Sequence, residues 1–278
     1  MEFIKEFESK VKKTIKDYNL INKNDKVLVA SSGGKDSTTV LYLLKKFGYN
    51  PEAIFIDLSI GNYSKKCKEN LIKFCNNENI KLHIVSFRNK LGYSLCYIKD
   101  VLKSKGLNLT SCMICGVIGK RYLLNREARK LKADKLVIGH NLDDEIETIL
   151  MNFFKGKLEY SAKLGPKIGI VQDSKFVQRI KPLYFCTVKE TEKYSRLMKF
   201  SVVYDKCPCS LDVFRRHIRN NLKFDDKTKM NIINNFLRLL PKLREYYKSK
   251  EKLNYCKICG EVSRREICSA CKIIELLK

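Results

Sequence analysis

Val27-Leu28-Val29-Ala30-Ser31-Ser32-Gly33-Gly34-Lys35-Asp36-Ser37, continuing through Thr38 to Phe47, is the stretch around which the chain is ordered. Its apolar run ends at Ala30, too short for a helix, and small residues then permit a tight turn. Beyond the turn, Val40, Leu41, Leu44 and Phe47 recur at helical spacing. Strand, loop and helix follow in that order. Gly33 and Gly34 lack Cβ, so their backbone can take unusual φ values and lie close against a ligand. Free N–H groups at the start of the helix, aided by its dipole, favour an anion of phosphate size. Ser32, Ser37 and Thr38 add hydroxyl donors, and Lys35 adds positive charge. The spacing matches neither G-x-x-x-x-G-K-[ST] nor G-x-G-x-x-G. A plain Gly-Gly turn is the structural alternative, and the strand before it and helix after it argue against that.

Outward from this loop, Glu52 to Leu58, Lys81 to Phe87 and Lys135 to His140 read as further strands, and Tyr63 to Glu78 as a helix with Cys67, Leu71, Phe74 and Cys75 on one face. Strands alternating with helices predict an α/β fold, a parallel sheet with helices on both faces. Ligands of such sheets sit at the carboxyl ends of strands, which gathers Ser32 to Ser37, Asp57 and Gly139 to Asp144 round one crevice. Residues 1–22 read as an amphipathic helix led by Phe3, Phe7, Val11 and Ile15. Residues 155–176 read as a mobile loop, Val177 to Phe185 as a strand, Thr187 to Phe200 as a helix and Ser201 to Tyr204 as a short strand. The chain divides into an N-terminal helix (1–22), a catalytic domain (23–225), a basic helical connection (226–252) and a metal module (253–278).

The chain has 278 residues, enough for a full α/β core and a small appendage. Its 56 Lys and Arg against 30 Asp and Glu leave a net charge of +26. Such an excess points to a polyanion, nucleic acid first and an acidic membrane surface second. No apolar run is long enough to span a bilayer, and the charged opening Met1 to Lys16 has no signal-peptide core, so the cytoplasm is the expected compartment. There, twelve cysteines suggest metal or redox chemistry rather than disulfides.

Eight of those cysteines fall in three groups. Cys112-Met113-Ile114-Cys115-Gly116 turns into a helix, and the helix start should lower a thiolate pKa; a redox pair, half a zinc site or part of an iron–sulfur site all suit it. Cys207-Pro208-Cys209 follows later, before a helix carrying Arg215, Arg216, His217 and Arg219, a face suited to a phosphodiester backbone or merely to solvent. The tail holds Cys256-x-x-Cys259 and Cys268-x-x-Cys271, a strong Zn²⁺ signal in a module too small to own a core. Its Arg264 and Arg265 are expected to touch RNA. The single cysteines Cys67, Cys75, Cys96 and Cys186 read as small buried hydrophobes. Asp143 and Asp144 open another helix; an acidic pair there is often only a dipole complement, but beside an anion loop it is a candidate for Mg²⁺ or acid–base work.

Ser32-Gly33-Gly34-Lys35-Asp36-Ser37 resembles the S-G-G-x-D-S loop of the PP-loop ATP pyrophosphatases. With Cys112 to Gly116, Gly139-His140-Asn141-Leu142-Asp143-Asp144-Glu145, Cys207 before Pro208, and the zinc tail, the chain resembles the narrower TtcA/TtuA-type tRNA 2-thiolation enzymes. The resemblance implies that ATP adenylates a pyrimidine C2 oxygen in tRNA and that sulfur then displaces AMP. It implies ATP at Ser32, Gly33, Gly34, Lys35, Asp36, Ser37, Asp57, Gly139 and Asp143, with Asp36, Lys120 and Asp143 catalytic. It also implies an iron–sulfur cluster, 4Fe-4S by type, on Cys112, Cys115 and Cys207, Zn²⁺ on Cys256, Cys259, Cys268 and Cys271, and Mg²⁺ beside ATP. Sulfide or a carrier-protein thiocarboxylate is the expected sulfur donor, and pairing as a homodimer is left open. Two departures stand out: residues 1–25 contain no cysteine where TtuA-type members carry a zinc module, and the basic residue that relatives place four after the second cysteine is Gly119 here, which passes the lysine role to Lys120. The competing readings are another PP-loop ligase of the lysidine synthetase or amidotransferase kind, which needs no cysteine triad, and a non-enzymatic zinc-bearing RNA-binding protein, which needs no intact loop.

Overall fold

The computed structural model describes residues 2–170, 173–210, 213–248 and 253–277. Strands β1 (Val27–Ala30), β2 (Glu52–Asp57), β3 (Leu82–Ser86), β4 (Lys135–Ile138) and β5 (Gln178–Ile180) form one sheet in the order β3-β2-β1-β4-β5. Every pairing in it is parallel, which is the expected α/β architecture. Successive side chains point to opposite faces of a strand. Val27 and Val29 therefore enter a core with Phe7, Val11, Val40, Leu44, Leu71 and Tyr194, whereas Leu28 enters a second one with Ile54, Leu124, Ala128 and Leu136. The chain leaves β1 towards β2 on one side and returns to β4 on the other. That reversal opens a crevice at the carboxyl ends of β1 and β4.

Several boundaries differ from the sequence reading, each for a local reason. The first helix is Glu2–Asp17, shorter than 1–22, because Asn19 turns left-handed (φ 46°) and Leu20 N–H folds back to Ile15 C=O at 2.9 Å. The strand expected over 177–185 is cut to Gln178–Ile180: Lys181 N–H leaves the ladder for Pro166 C=O, and Pro182 has no N–H to offer. The short strand at 201–204 is reduced to a single parallel bridge between Gly34 and Val203. The segment expected to be mobile is pinned over much of its described part. It holds a short helix, Leu158–Ser161, and Arg244 donates to the carbonyls of Ala162, Leu164 and Lys167 at 3.3, 2.8 and 3.0 Å.

The tail forms a two-stranded ribbon, β6 (Asn254–Tyr255) and β7 (Val262–Ser263), followed by the helix Ser269–Glu275. Ala270, Ile273 and Leu277 bury themselves with Ile114 and Ile118, and Glu261 accepts from Arg129 and Asn125. The tail thus docks on the helix that carries the first cysteine pair. Cys67, Cys75 and Cys186 are buried as expected, but Cys96 is exposed. Leu95 and Ile98 take the inward face of the helix Leu95–Ser104, which leaves Cys96 on the outside.

Candidate active site and metal centres

The loop after β1 is built from its own backbone and hydroxyls. Ser37 Oγ accepts Ser32 N–H at 3.0 Å and donates to Gly34 C=O at 3.2 Å. Gly33 sits at φ +76°, and a Cβ there would lie 2.6 Å from the Cys67 carbonyl oxygen and 2.9 Å from Cys67 Cβ. Its own carbonyl accepts Val203 N–H at 3.1 Å. The loop is therefore clamped between the Gly61–Asn77 helix and the segment leading to Cys207. From the other side Gly139, at the exit of β4, presses on it: a Cβ there would be 2.8 Å from Ser37 N.

Asn141 caps the helix Leu142–Phe154, accepting Asp144 N–H at 3.1 Å, and reaches back to donate to Asp36 Oδ1 at 3.2 Å. Asp36 also pairs with Lys35 at 2.7 Å. Burial pushes its carboxyl up, Lys35 pulls it down, and the nearby Asp144 pushes it up again. Asp144 itself is lowered despite burial, by His140 and Arg215. The neighbouring Asp143 faces elsewhere: it accepts Val188 N–H at 2.7 Å and pairs with Lys229 at 2.8 Å. Asp57, at the end of β2, accepts Ser59 N–H at 2.9 Å and pairs with Lys68 at 3.4 Å. Asp144 is thus the carboxylate whose charge is felt at Asp36, while Asp143 is turned to Val188 and Lys229. Beneath them Lys181 and Glu145 form a fully buried ion pair at 2.6 Å.

The first cysteine pair opens an irregular helix. Thr110 caps Ser111–Ile114, and Cys115–Leu123 continues as a π-helix whose end is marked by Leu124 N–H bonding to Gly119 C=O, five residues back. Pairing of i with i+5 puts residue i+5 where an α-helix puts i+4. Lys120 thereby comes to Cys115's side of the helix, and its charge works against the rise in the Cys115 pKa. Gly119 faces the end of β2, where a Cβ would meet Leu58 Cδ2 at 3.2 Å. Arg179 holds this segment from outside, donating to Lys120 C=O at 2.8 Å. The lowered thiolate pKa expected at a helix start is not found at Cys115: burial pushes that thiol up.

Cys207 begins a tight turn in which Ser210 donates both N–H and Oγ to the Cys207 carbonyl, at 2.9 and 2.7 Å. The Cys112 thiol donates to the Cys209 carbonyl at 3.2 Å, so the turn docks on the first pair. Cys115, Cys207 and Cys209 all pack, partly buried, on the apolar cluster of Ile114 and Ile118. Arg215 and Arg219 are tied to the neighbouring helix, although the Arg219 side chain stays about half exposed. Arg219 takes both Glu147 oxygens at 2.6 and 2.9 Å, and Arg215 donates to Thr148 Oγ1 at 2.7 Å.

Comparison with known proteins fits this geometry. The PP-loop domain matches residues 4–224. The chain belongs to the PP-loop family. It is 36% identical to the tRNA-5-methyluridine(54) 2-sulfurtransferase of Pyrococcus horikoshii, over 98% of this chain and 86% of that one. It is 30% identical to the tRNA 2-thiolation protein NcsA of Haloferax volcanii, over 99% and 92%. Among solved structures it superimposes on the U34-tRNA thiolase NcsA of Methanococcus maripaludis, which contains a [4Fe-4S] cluster, with a TM-score of 0.77, 32% identity, and coverage of 99% and 88%.

In this PP-loop chain the tail sulfurs form a second centre. Cys256, Cys259, Cys268 and Cys271 offer sulfurs all within 4.8 Å of one another, the one such group of three or more metal-ligating side chains among the described residues. Against the effect of burial, backbone N–H groups of Cys268, Cys259 and Ile258 bring the Cys256 thiol down to about 6, whereas burial pushes Cys259 up to about 11. A divalent ion would draw off the remaining protons. Sequence reasoning assigned no role to Asn141 or Val203, two residues that tie the PP-loop to its neighbours. Asn before an acidic helix start was a readable cap signal; Val203 read as part of a short strand, but nothing in the sequence marked Gly34 as its partner. No helix among the described residues is long and apolar enough to cross a membrane.

Proposed function

We propose that this chain catalyses ATP-dependent 2-thiolation of a pyrimidine in tRNA, in the cytoplasm, by adenylating the C2 oxygen and replacing it with sulfur. The observation that carries this reading is the bridge between Gly34 and Val203, which joins the phosphate loop to the segment bearing Cys207. Two half-reactions need two kinds of chemistry in one crevice, and this is where they adjoin. The turn from Ser32 to Ser37 receives the ATP phosphates, and Asp36 with Asp144 would hold Mg²⁺ between them. The C2 oxygen attacks the α-phosphorus and pyrophosphate leaves; carbonyl oxygen is a poor leaving group, whereas the adenylated oxygen departs as AMP. Lys120 supplies positive charge near the cysteines as negative charge develops on that oxygen. Asp143, tied to Val188 and Lys229, fits a positioning role: it anchors the helix start from which Asn141 donates to Asp36.

Cys112, Cys115 and Cys207 fit a cluster. Cys115 and Cys207 lie against an apolar wall and Cys112 rests on the Cys209 carbonyl, and the three sulfurs do not crowd together as the tail's do, which suits separate irons rather than one shared ion. Such a cluster would supply an iron free of protein ligands for the incoming sulfur, delivered as sulfide or as a carrier-protein thiocarboxylate.

With tRNA and Mg²⁺ present, ATP is expected to yield AMP and pyrophosphate. Chromatography that finds ADP and phosphate instead would overturn the reading. The tail is proposed to hold one Zn²⁺ for folding. Aerobically purified protein should contain it, and Cys256→Ser or Cys271→Ser should release it and weaken tRNA binding while ATP still binds. Metal analysis without zinc would remove that assignment.

A further inference from the structure

Between Phe153 and Tyr160 the chain leaves four large apolar side chains in solvent: Phe153 (66% exposed), Phe154 (57%), Leu158 (38%) and Tyr160 (47%). A patch of this kind marks a partner more often than an accident. Phe153 and Phe154 meet edge to face, with ring centres 6.1 Å apart. Cations interleave with the rings. Lys155 Nζ lies 4.6 Å from the ring centre of Phe214, and Arg264, reaching over from the tail module, lies 5.4 Å from that of Tyr160. The patch occupies the far end of the helix Leu142–Phe154, whose capped start touches Asp36. Thirteen helical residues put it about 20 Å from the phosphate loop.

We infer that Phe153, Phe154 and Tyr160 form a stacking platform for unpaired bases of the tRNA, flanked by Lys155 and Arg264 for its phosphates; this rests on the tRNA-modifying reading above. Unpaired nucleotides offer an open π face and a negative backbone together, which is what rings alternating with cations accommodate. A duplex stem hides its base faces and can engage only the cations. A second copy of the chain would cover the rings but bring another net charge of +26 against this one. The bound nucleotides are therefore not the one being modified but unpaired neighbours, or a second loop, held at the far end of the helix.

The experiment compares two RNAs: a hairpin with a nucleotide loop, and the same stem closed by a polyethylene glycol linker. Phe153→Ala with Phe154→Ala should weaken hairpin binding about tenfold or more, leave the linker-closed stem unchanged, and leave thermal stability unchanged because both rings are exposed. Phe153→Trp with Phe154→Trp should restore hairpin binding. Equal loss on both RNAs, no loss on the hairpin, or a shift from dimer to monomer with RNA affinity intact would overturn the platform. A double-Ala variant that loses thermal stability, with no rescue by the tryptophan pair, would overturn it too, since the rings would then be structural. Full-length tRNA binding and AMP formation by the wild type are measured alongside. If those persist while the hairpin result fails, only the platform falls; if they are absent, the tRNA reading falls with it.

Discussion

Cys207→Ala is expected to yield a colourless protein that makes no 2-thiolated nucleoside, whereas Cys209→Ala keeps its cluster and loses at most part of its rate. Pro208 fixes its own φ and biases Cys207 towards an extended backbone, a stiff mount for one thiolate. Ser210 then locks the turn through the Cys207 carbonyl. At Cys209 it is the carbonyl, not the sulfur, that receives the Cys112 thiol. Alanine at 209 keeps that carbonyl, and with it the course of the turn, because the group belongs to the backbone. The measurement is anaerobic reconstitution of the two variants and of Cys112→Ala, followed by visible absorbance and mass spectrometry of tRNA nucleosides. Cys207→Ala remaining brown while Cys209→Ala bleaches would reverse the ligand assignment.

Gly33→Ala should lower pyrophosphate release on the order of 100-fold or more, the scale of loss expected when a reacting group is displaced by about 1 Å. Two costs add. A left-handed backbone is unfavourable for alanine by roughly 1–2 kcal/mol, and the new Cβ would fall 2.6 Å from the Cys67 carbonyl oxygen. Neither clashing partner is a flexible side-chain end, so the loop itself must move. Gly34→Ala is the control: Gly34 has an extended backbone (φ −92°, ψ 165°), and its nearest obstacle is Ser32 Oγ at 3.4 Å. A Gly34→Ala loss as large as that of Gly33→Ala would mean that crowding of the ligand, rather than collapse of the turn, governs both.

The parallel sheet was readable because its strands are short apolar runs between helices of clear period, and both core faces appear as alternation along Val27, Leu28 and Val29. The loop was readable because small residues and a following helix leave few other structures. What escaped were relations that depend on where a side chain turns. Asp143 and Asp144 are adjacent letters, yet one faces Lys229 and the other the phosphate loop, since successive helical positions point in different directions. Arg215 and Arg219 read as a face for phosphates or solvent, and nothing in the sequence hinted that Glu147, distant in the chain, pairs with both. Cys96 read as buried because single cysteines usually are, and the two apolar residues that claim the inner face of its helix overrode that.

The π-helix at Cys115–Leu123 bears on how such sites are recognised at all. A search pattern that demands a basic residue four positions after the second cysteine would reject this chain, because Gly119 stands there under Leu58. What brings Lys120 to Cys115 is an angle about the helix axis, not a count of letters. The wider hydrogen-bond ring of the π turn brings the residue five along, Lys120, to the side of Cys115. Spacing rules for this segment are better written as two alternatives, a basic residue four along in an α turn or five along in a π turn.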